Sequence, residues 1–99
     1  MIEIKFNLSN KRIEFSSVGH ADFADYGKDV VCAAVSSIII GALNALKSKE
    51  LDIKIKKGDV KVSGNLNSHD EIVFETMLVQ LKTIEDQYPN NLKINEGSN

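Results

Sequence analysis

The chain has 99 residues, of which 42% are hydrophobic, and its formal net charge at pH 7 is −2. This length predicts a single compact domain over residues 1–99 and excludes a second one. One cysteine excludes an internal disulfide, and the two histidines beside it leave no His/Cys cluster at zinc spacing. We therefore expect neither a metal nor a cofactor.

The sequence shows neither the apolar core of a secretory signal nor a membrane span. Its N-terminal residues alternate apolar and polar side chains instead of forming an apolar run. No apolar stretch approaches the roughly 20 residues that cross a bilayer. Because a lone cysteine also suits a reducing compartment, we expect a cytoplasmic protein that makes no membrane contact.

The N-terminal alternation predicts a β-hairpin. A first strand with one buried face is indicated by its apolar residues Ile2, Ile4, Phe6 and Leu8. After a turn at residues 9–11, the alternation resumes at Ile13 and runs to about Val18. The second strand therefore delivers His20 directly after its end.

Residues 20–28 show no periodicity, so they predict a loop between the hairpin and the next element. Two glycines bracket the loop, and we expect it to be the mobile part of the fold. Its aromatic residues fit packing against the core and contact with a substrate equally well. The candidate substrate-contacting residues are Gly19, Asp22, Phe23, Tyr26 and Gly27.

A long apolar segment from about Asp29 to Lys47 predicts a buried helix with Asp29 at its N-cap. The isoleucine run 38–40 would also suit a strand, but the length and the small residues favour a helix. The helix is apolar nearly all round in so short a chain, and the predicted sheet has little to cover its second face. We therefore expect a homodimer.

The following residues predict a second hairpin. Apolar and polar residues alternate over 51–56, Gly58 and Asp59 turn the chain, and a return strand runs over 60–64. Six lysines cluster between Lys47 and Lys61. A strand face exposed to solvent explains this cluster as well as an RNA contact does. Because the net charge of the chain is negative, we expect no direct nucleic-acid role.

A second helix is predicted to begin at a capping box formed by Ser68 and Glu71. Its apolar stripe consists of Val73, Phe74, Met77, Leu78, Leu81, Ile84 and Tyr88, and Pro89 ends it. A short final strand follows at 92–94. The order ββαββα with a last β predicts an α+β two-layer sandwich, in which the helices pack on one face of a mixed sheet.

Cys32, the only cysteine, falls in the first turn of the predicted helix. Unpaired backbone N–H groups and the positive end of the helix dipole stabilise a thiolate there. His20 lies upstream on the loop, and Ser36 lies one helical turn below Cys32 on the same face. A nearby imidazole would complete the activation of a nucleophile. An inert role as a small buried hydrophobe fits the same position.

The residues around this cysteine also match a known pattern. The run Gly19-His20-Ala21-Asp22, then Tyr26-Gly27, then Asp29-Val30-Val31-Cys32-Ala33 and Ser36, resembles the ribosomal-processing cysteine proteases, the Prp family. The resemblance is sharpest over residues 19–36 and extends to the segment 76–89, TMLVQLKTIEDQYP. It implies an enzyme that trims an N-terminal extension from the large-subunit ribosomal protein whose N-terminus reaches the peptidyl transferase centre.

The resemblance implies that Cys32 is the nucleophile and that His20 is the base. Backbone N–H groups at the helix start are candidate oxyanion donors, and Ser36 is a candidate partner for the thiol or the substrate. Asp29 and Asp22 are both candidates to orient His20, although capping explains Asp29 equally well. Whether a third residue joins the His/Cys dyad stays open.

Two other functions fit the same residues, namely a non-catalytic ribosome-associated module and a thiol redox sensor. A binding module has no need of a histidine near the cysteine. A sensor usually needs a resolving thiol, which only another chain would supply. A cysteine protease is therefore the leading hypothesis.

Overall fold

The computed structural model of the chain describes residues 1–19 and 26–97, and for residues 26–29 it describes the backbone alone. Within these residues, five strands and two helices follow one another in the order ββαββαβ. The elements are β1 Ile2–Ser9, β2 Arg12–Val18, α1 Tyr26–Asn44, β3 Asp52–Lys56, β4 Asp59–Asn65, α2 Ser68–Gln87 and β5 Leu92–Glu96. The predicted fold class and element order are confirmed.

The strands form one sheet in the order β3-β4-β2-β1-β5. The sheet is mixed because β5 runs parallel to β1, whereas the other described pairs are antiparallel. The register places Phe6 opposite Phe15, and Phe15 opposite Val62. Since directly opposed residues share a face of the sheet, the apolar sets of these strands point to the same side.

Both helices cover that apolar face, and the core lies between the two layers. Its buried apolar side chains are Ile2, Ile4, Phe6, Ile13, Phe15, Val31, Val35, Ile39, Val62, Leu66, Phe74, Met77, Leu81 and Leu92. Burial of one such side chain stabilises the fold by roughly 1.5–3 kcal/mol. The buried residues of this core therefore follow the period-2 and helical spacings that predicted the fold. In the described part of the chain, no helix has the length and hydropathy needed to cross a membrane.

Helix α1 begins three residues earlier than predicted, at Tyr26, and ends at Asn44. Tyr26 and Gly27 are therefore helical and not part of a loop, and Asp29 lies inside the helix and not at its N-cap. One glycine costs a helix only about 1 kcal/mol, which tertiary contacts readily outweigh. An aspartate is also favourable within the first turn, beside the positive end of the helix dipole. The presence of Asp29 therefore does not identify the residue at which the helix begins.

The prediction that α1 is a buried helix holds, within this chain, for one face of the helix only. One stripe is buried against the sheet, formed by Val31, Val35 and Ile39. The opposite side, which includes Val30, Ala33 and Ile40, is exposed. Alanine and glycine are compatible with either environment, so their abundance did not report burial. The chain therefore carries an apolar helix surface that it does not cover itself.

Helix α2 is capped by Asn67 and not by Ser68, because Asn67 Oδ1 accepts a hydrogen bond from the Asp70 N–H at 2.8 Å. The Asp70 side chain then faces the connection after α1 and is fully buried. It accepts hydrogen bonds from the N–H groups of Lys47 at 2.8 Å and Ser48 at 2.5 Å, and it lies 2.8 Å from His69 Nδ1. This carboxylate therefore ties the start of α2 to the chain that follows α1.

Burial of Asp70 would by itself raise the pKa of its carboxyl. Hydrogen bonds from Ser48 and His69, together with the backbone N–H groups of Lys47 and Ser48, outweigh that effect and hold the pKa well below its usual range. Asp70 is therefore charged in the folded protein at neutral pH. The role of Asp70 is structural, because the groups that donate hydrogen bonds to its carboxylate belong to the two segments that the carboxylate joins.

Candidate active site

Gly19 fixes the point at which the chain leaves β2. Its N–H donates a hydrogen bond to the carbonyl oxygen of Gly58 at 2.9 Å. Its φ is +112°, and a Cβ at this position would collide with the carbonyl oxygen of Met1. Only glycine suits this combination. The residue before His20 is thus held between the N-terminus and the turn of the β3–β4 hairpin.

Cys32 lies on α1 next to the stripe that packs on the sheet, and its side chain is half-buried. Ser36 follows one helical turn later. Both residues line the same groove. The predicted placement of Cys32 and Ser36 on one face is therefore what the helix geometry produces.

The groove separates α1 from the β3–β4 hairpin and has a volume of about 310 Å³. We call it the Cys32 groove. Its lining consists of Ile2, Ser17, Gly19, Cys32, Val35, Ser36, Ile39, Ile40, Ile55, Lys56, Lys57, Gly58, Asp59 and Val60. Ile2, Val35 and Ile39 are buried and make its base apolar. The arrangement suits an apolar side chain that is presented to the cysteine.

The two walls of the Cys32 groove differ in polarity. The α1 wall carries the small polar groups of Cys32 and Ser36, whereas the hairpin wall carries Lys56, Lys57 and Asp59. Sequence analysis did not connect the hairpin with the site, because the connection depends on the strand order. Val18 stands opposite Asp59 in the sheet, so the end of β2 and the start of β4 are adjacent.

The prediction that Cys32 lies in the first turn of the helix is wrong. Because α1 begins at Tyr26, Cys32 follows six residues later and lies in the second turn. Only the first four N–H groups of a helix lack a partner within it, and the dipole effect falls off within the first turn. The Cys32 N–H is therefore not a free helix-terminal donor, and the helix end does not supply the proposed thiolate stabilisation.

The other predicted site residues divide into two groups. His20, Asp22 and Phe23 lie outside the described residues. Tyr26, Gly27 and Asp29 are placed by their backbone at the start of α1. The described part of the chain holds no group of three His, Cys, Asp or Glu residues that could bind a metal ion.

A cysteine on the wall of an apolar groove is the arrangement by which a cysteine hydrolase holds an acyl group beside its nucleophile. A family model described as "Cysteine protease Prp" matches residues 1–93. The chain therefore belongs to the Prp family of cysteine proteases.

Curated relatives cover almost the whole chain. The protein named "Ribosomal processing cysteine protease Prp" from Staphylococcus aureus strain NCTC 8325 is 33% identical over an alignment 101 residues long, which covers 95% of each chain. The protein of the same name from Mycoplasma genitalium is 36% identical over an alignment 98 residues long, which covers 96% of this chain and 97% of the relative.

A solved structure of the Staphylococcus aureus protein is similar in fold and in sequence. It is described as an essential ribosomal processing protease Prp in complex with a covalently linked product peptide. Its TM-score to this chain is 0.84 at 32% identity, and the match covers 98% of this chain and 100% of that one. A second structure of that protein, with a substrate peptide, gives a TM-score of 0.80 at 30% identity, with the same coverage of both chains.

Proposed function

We propose that this chain is a cytoplasmic cysteine endopeptidase that removes the N-terminal extension of a large-subunit ribosomal protein during ribosome assembly. The observation that carries the proposal is the position of Cys32 on the wall of an apolar groove. A relative that holds a covalently linked product peptide supports it. Covalent attachment of a peptide fits catalysis by a nucleophile, and Cys32 is the only cysteine in this sequence.

Cys32 and His20 act as a dyad in the proposed mechanism. The Cys32 thiol transfers its proton to the His20 imidazole, and Sγ attacks the carbonyl carbon of the scissile peptide bond. The tetrahedral intermediate collapses as the imidazolium gives the proton to the leaving amine, and a thioester remains. Water, deprotonated by His20, then hydrolyses the thioester and restores the thiol.

The remaining predicted residues have supporting roles in this proposal. Ser36 lies one turn from Cys32 on the groove wall, where its hydroxyl can bond to the thiol or to the substrate. Asp22 and Asp29 are candidates to orient His20. Phe23, Tyr26 and Gly27 lie between the two dyad residues, and Gly19 directly precedes His20. We assign these residues, together with Asp22, to substrate contact.

Mass spectrometry of the intact ribosomal protein with its extension, after incubation with wild type and with Cys32→Ala, tests the function. We expect the wild type to release the extension and Cys32→Ala to leave the substrate intact. Val79→Ala is a control for substitution as such, because Val79 is exposed on α2 away from the groove. Cleavage by Cys32→Ala at the wild-type rate would refute the protease assignment.

We also propose a homodimer that uses the exposed side of α1. Val30 is a large apolar residue on that side, next to the exposed Ala33, and the chain itself does not cover it. Sedimentation at tens of micromolar should give the mass of two chains. Val30→Glu should shift that mass to a single chain, whereas Val79→Glu, an equally drastic change on α2, should not.

A further inference from the structure

Strand β3 forms one edge of the sheet that the described residues build. It stands first in the order β3-β4-β2-β1-β5, and its partner is β4. Because an antiparallel strand directs every second N–H and C=O pair away from its neighbour, half of the backbone groups of β3 face outward. No backbone hydrogen bond from the described residues reaches that outer edge. The edge is thus available to another extended chain.

Two isoleucines of β3 lie on the helix side of the sheet without being covered. Ile53 stands opposite Val62, and Ile55 opposite Val60, so all four side chains share the apolar face. Val62 is buried, whereas Ile53 is 40% exposed and Ile55 is 55% exposed. The apolar face therefore extends one strand beyond the helices that cover the rest of it.

This uncovered strip is continuous with the Cys32 groove. Ile55 and Lys56, at the end of β3, line the groove together with Cys32 and Ile40. Ile40 is also partly exposed, on the α1 side. A chain that leaves the groove along this wall would run directly beside β3. The five residues of β3 span about 17 Å, enough to pair with four or five residues of an extended peptide.

We propose that the substrate polypeptide binds in an extended conformation along β3 and pairs with its free edge as an additional strand. This inference rests on the proposed protease function. The backbone hydrogen bonds hold the substrate in register, and its alternate side chains pack on Ile53 and Ile55. The substrate class is therefore an extended segment with apolar residues at every second position near the scissile bond.

Lysines on the strand are compatible with this role. Lys54 and Lys56 alternate with the isoleucines, and charged side chains on an edge strand discourage pairing with other sheets. They leave the backbone groups accessible to a single peptide strand. Substrate residues that share a face with Lys54 should accordingly be polar or acidic and not basic.

Backbone methylation of the substrate tests the pairing without altering the protein. The probes are synthetic peptides of the ribosomal-protein extension, each with one N-methyl group at successive positions on both sides of the scissile bond. On one side of the scissile bond, methylation at every second position should lower kcat/KM by about tenfold. Each of these methyl groups replaces a substrate N–H that would donate a hydrogen bond to β3. Methylation at the intervening positions should change kcat/KM far less.

Amide exchange of Cys32→Ala with the unmodified peptide reports binding without turnover. Every second amide of β3 should exchange at least about tenfold more slowly when the peptide is bound. Ile55→Ala should raise KM severalfold with little change in kcat. The matched control is Ile72→Ala, since Ile72 is 64% exposed on α2 and does not line the groove.

The outcomes separate this inference from the proposed function. If the peptide is cleaved, but methylation has no periodic effect and the exchange of the β3 amides is not slowed, the edge pairing is overturned and the protease function stands. A peptide that is not cleaved but slows the β3 amides would overturn the function and retain the pairing. A peptide that neither is cleaved nor binds would overturn both. Slow β3 amides without peptide, dependent on protein concentration, would show that a second copy occupies the edge, which also refutes the inference.

Discussion

The N–H of Gly19 is hydrogen-bonded to the carbonyl oxygen of Gly58 at 2.9 Å, which ties the end of β2 to the turn of the β3–β4 hairpin. The bond holds together two parts of the candidate active site that are far apart in sequence. One is the hairpin wall of the Cys32 groove, and the other is the backbone just before His20. Their relative position is thus set by the sheet.

Substitution of Gly19 by alanine should lower both stability and cleavage. The added Cβ meets the Met1 carbonyl oxygen, and the φ of +112° is unfavourable for alanine. We expect a loss of at least about 1 kcal/mol in the free energy of unfolding, measured by urea denaturation. Gly41→Ala is the matched control, because a Cβ there meets nothing within 4 Å. It should stabilise the chain by about 0.5–1 kcal/mol. Equal effects of the two substitutions would refute the packing argument.

The dyad is tested by three variants on one extension peptide. Cys32→Ser should retain the thermal midpoint and lose turnover, since an alcohol is far less acidic than a thiol. His20→Ala should lose nearly as much, because nucleophile and base act as a unit. Asp29→Asn should reduce the rate only in part and barely shift the midpoint, because Asp29 sits in the first helical turn, where its charge contributes about 0.3–1 kcal/mol. If Asp29→Asn were as inactive as Cys32→Ser, Asp29 would belong to a triad.

Alkylation by iodoacetamide should depend strongly on His20. Because Cys32 lies in the second turn of α1, the helix end contributes little to thiolate formation. In the proposed dyad the activation comes from the His20 imidazole, so wild type should react below neutral pH and His20→Ala only under alkaline conditions. Mass spectrometry of the modified protein over a pH series gives both profiles. Identical profiles would mean that His20 does not activate Cys32 and would favour the non-catalytic module.

Asp70 should make folding stability sensitive to acid. Its folded pKa is depressed, so its stabilisation is complete above the ordinary aspartate pKa of 3.8 and is lost progressively as the pH falls below that value. Asp70→Asn should cost about 1–3 kcal/mol at pH 7, because the amide replaces a buried, hydrogen-bonded carboxylate. Urea denaturation at pH 7 and at pH 3 should show the difference from wild type narrowing at the lower pH. A difference independent of pH would contradict this account.

The sequence predicted most of the fold because the core uses simple periodicities. Ile2, Ile4 and Phe6 are buried at every second position, and Phe74, Met77 and Leu81 at helical spacing. The strand order was beyond such patterns, since pairing between β1 and β5 or between β2 and β4 depends on contacts distant in sequence. For this reason the hairpin wall of the groove was missed.

Helix boundaries were predicted less well than helix faces. The start of α1 was placed at Asp29, because aspartate is a common N-cap, but aspartate is also favourable within the first turn. Similarly, Ser68 matches a capping box, yet Asn67 supplies the N-cap of α2. The Asp70 side chain instead accepts a hydrogen bond from the N–H of Lys47, in the chain after α1. In both cases, neighbouring residues offered the same local chemistry, and for α2 the contacts of Asp70 with Lys47 and Ser48 accompany the choice of Asn67.

The parallel pairing of β5 with β1 has a consequence for the order of folding. Ile2 stands opposite Leu92, and both side chains are buried in the core. Because β1 is synthesised before β5, its outer edge stays unpaired until β5 has left the ribosome. Contacts across such a separation slow folding. We expect the newly made chain to complete its core, and with it the groove that holds Cys32, only after β5 has emerged.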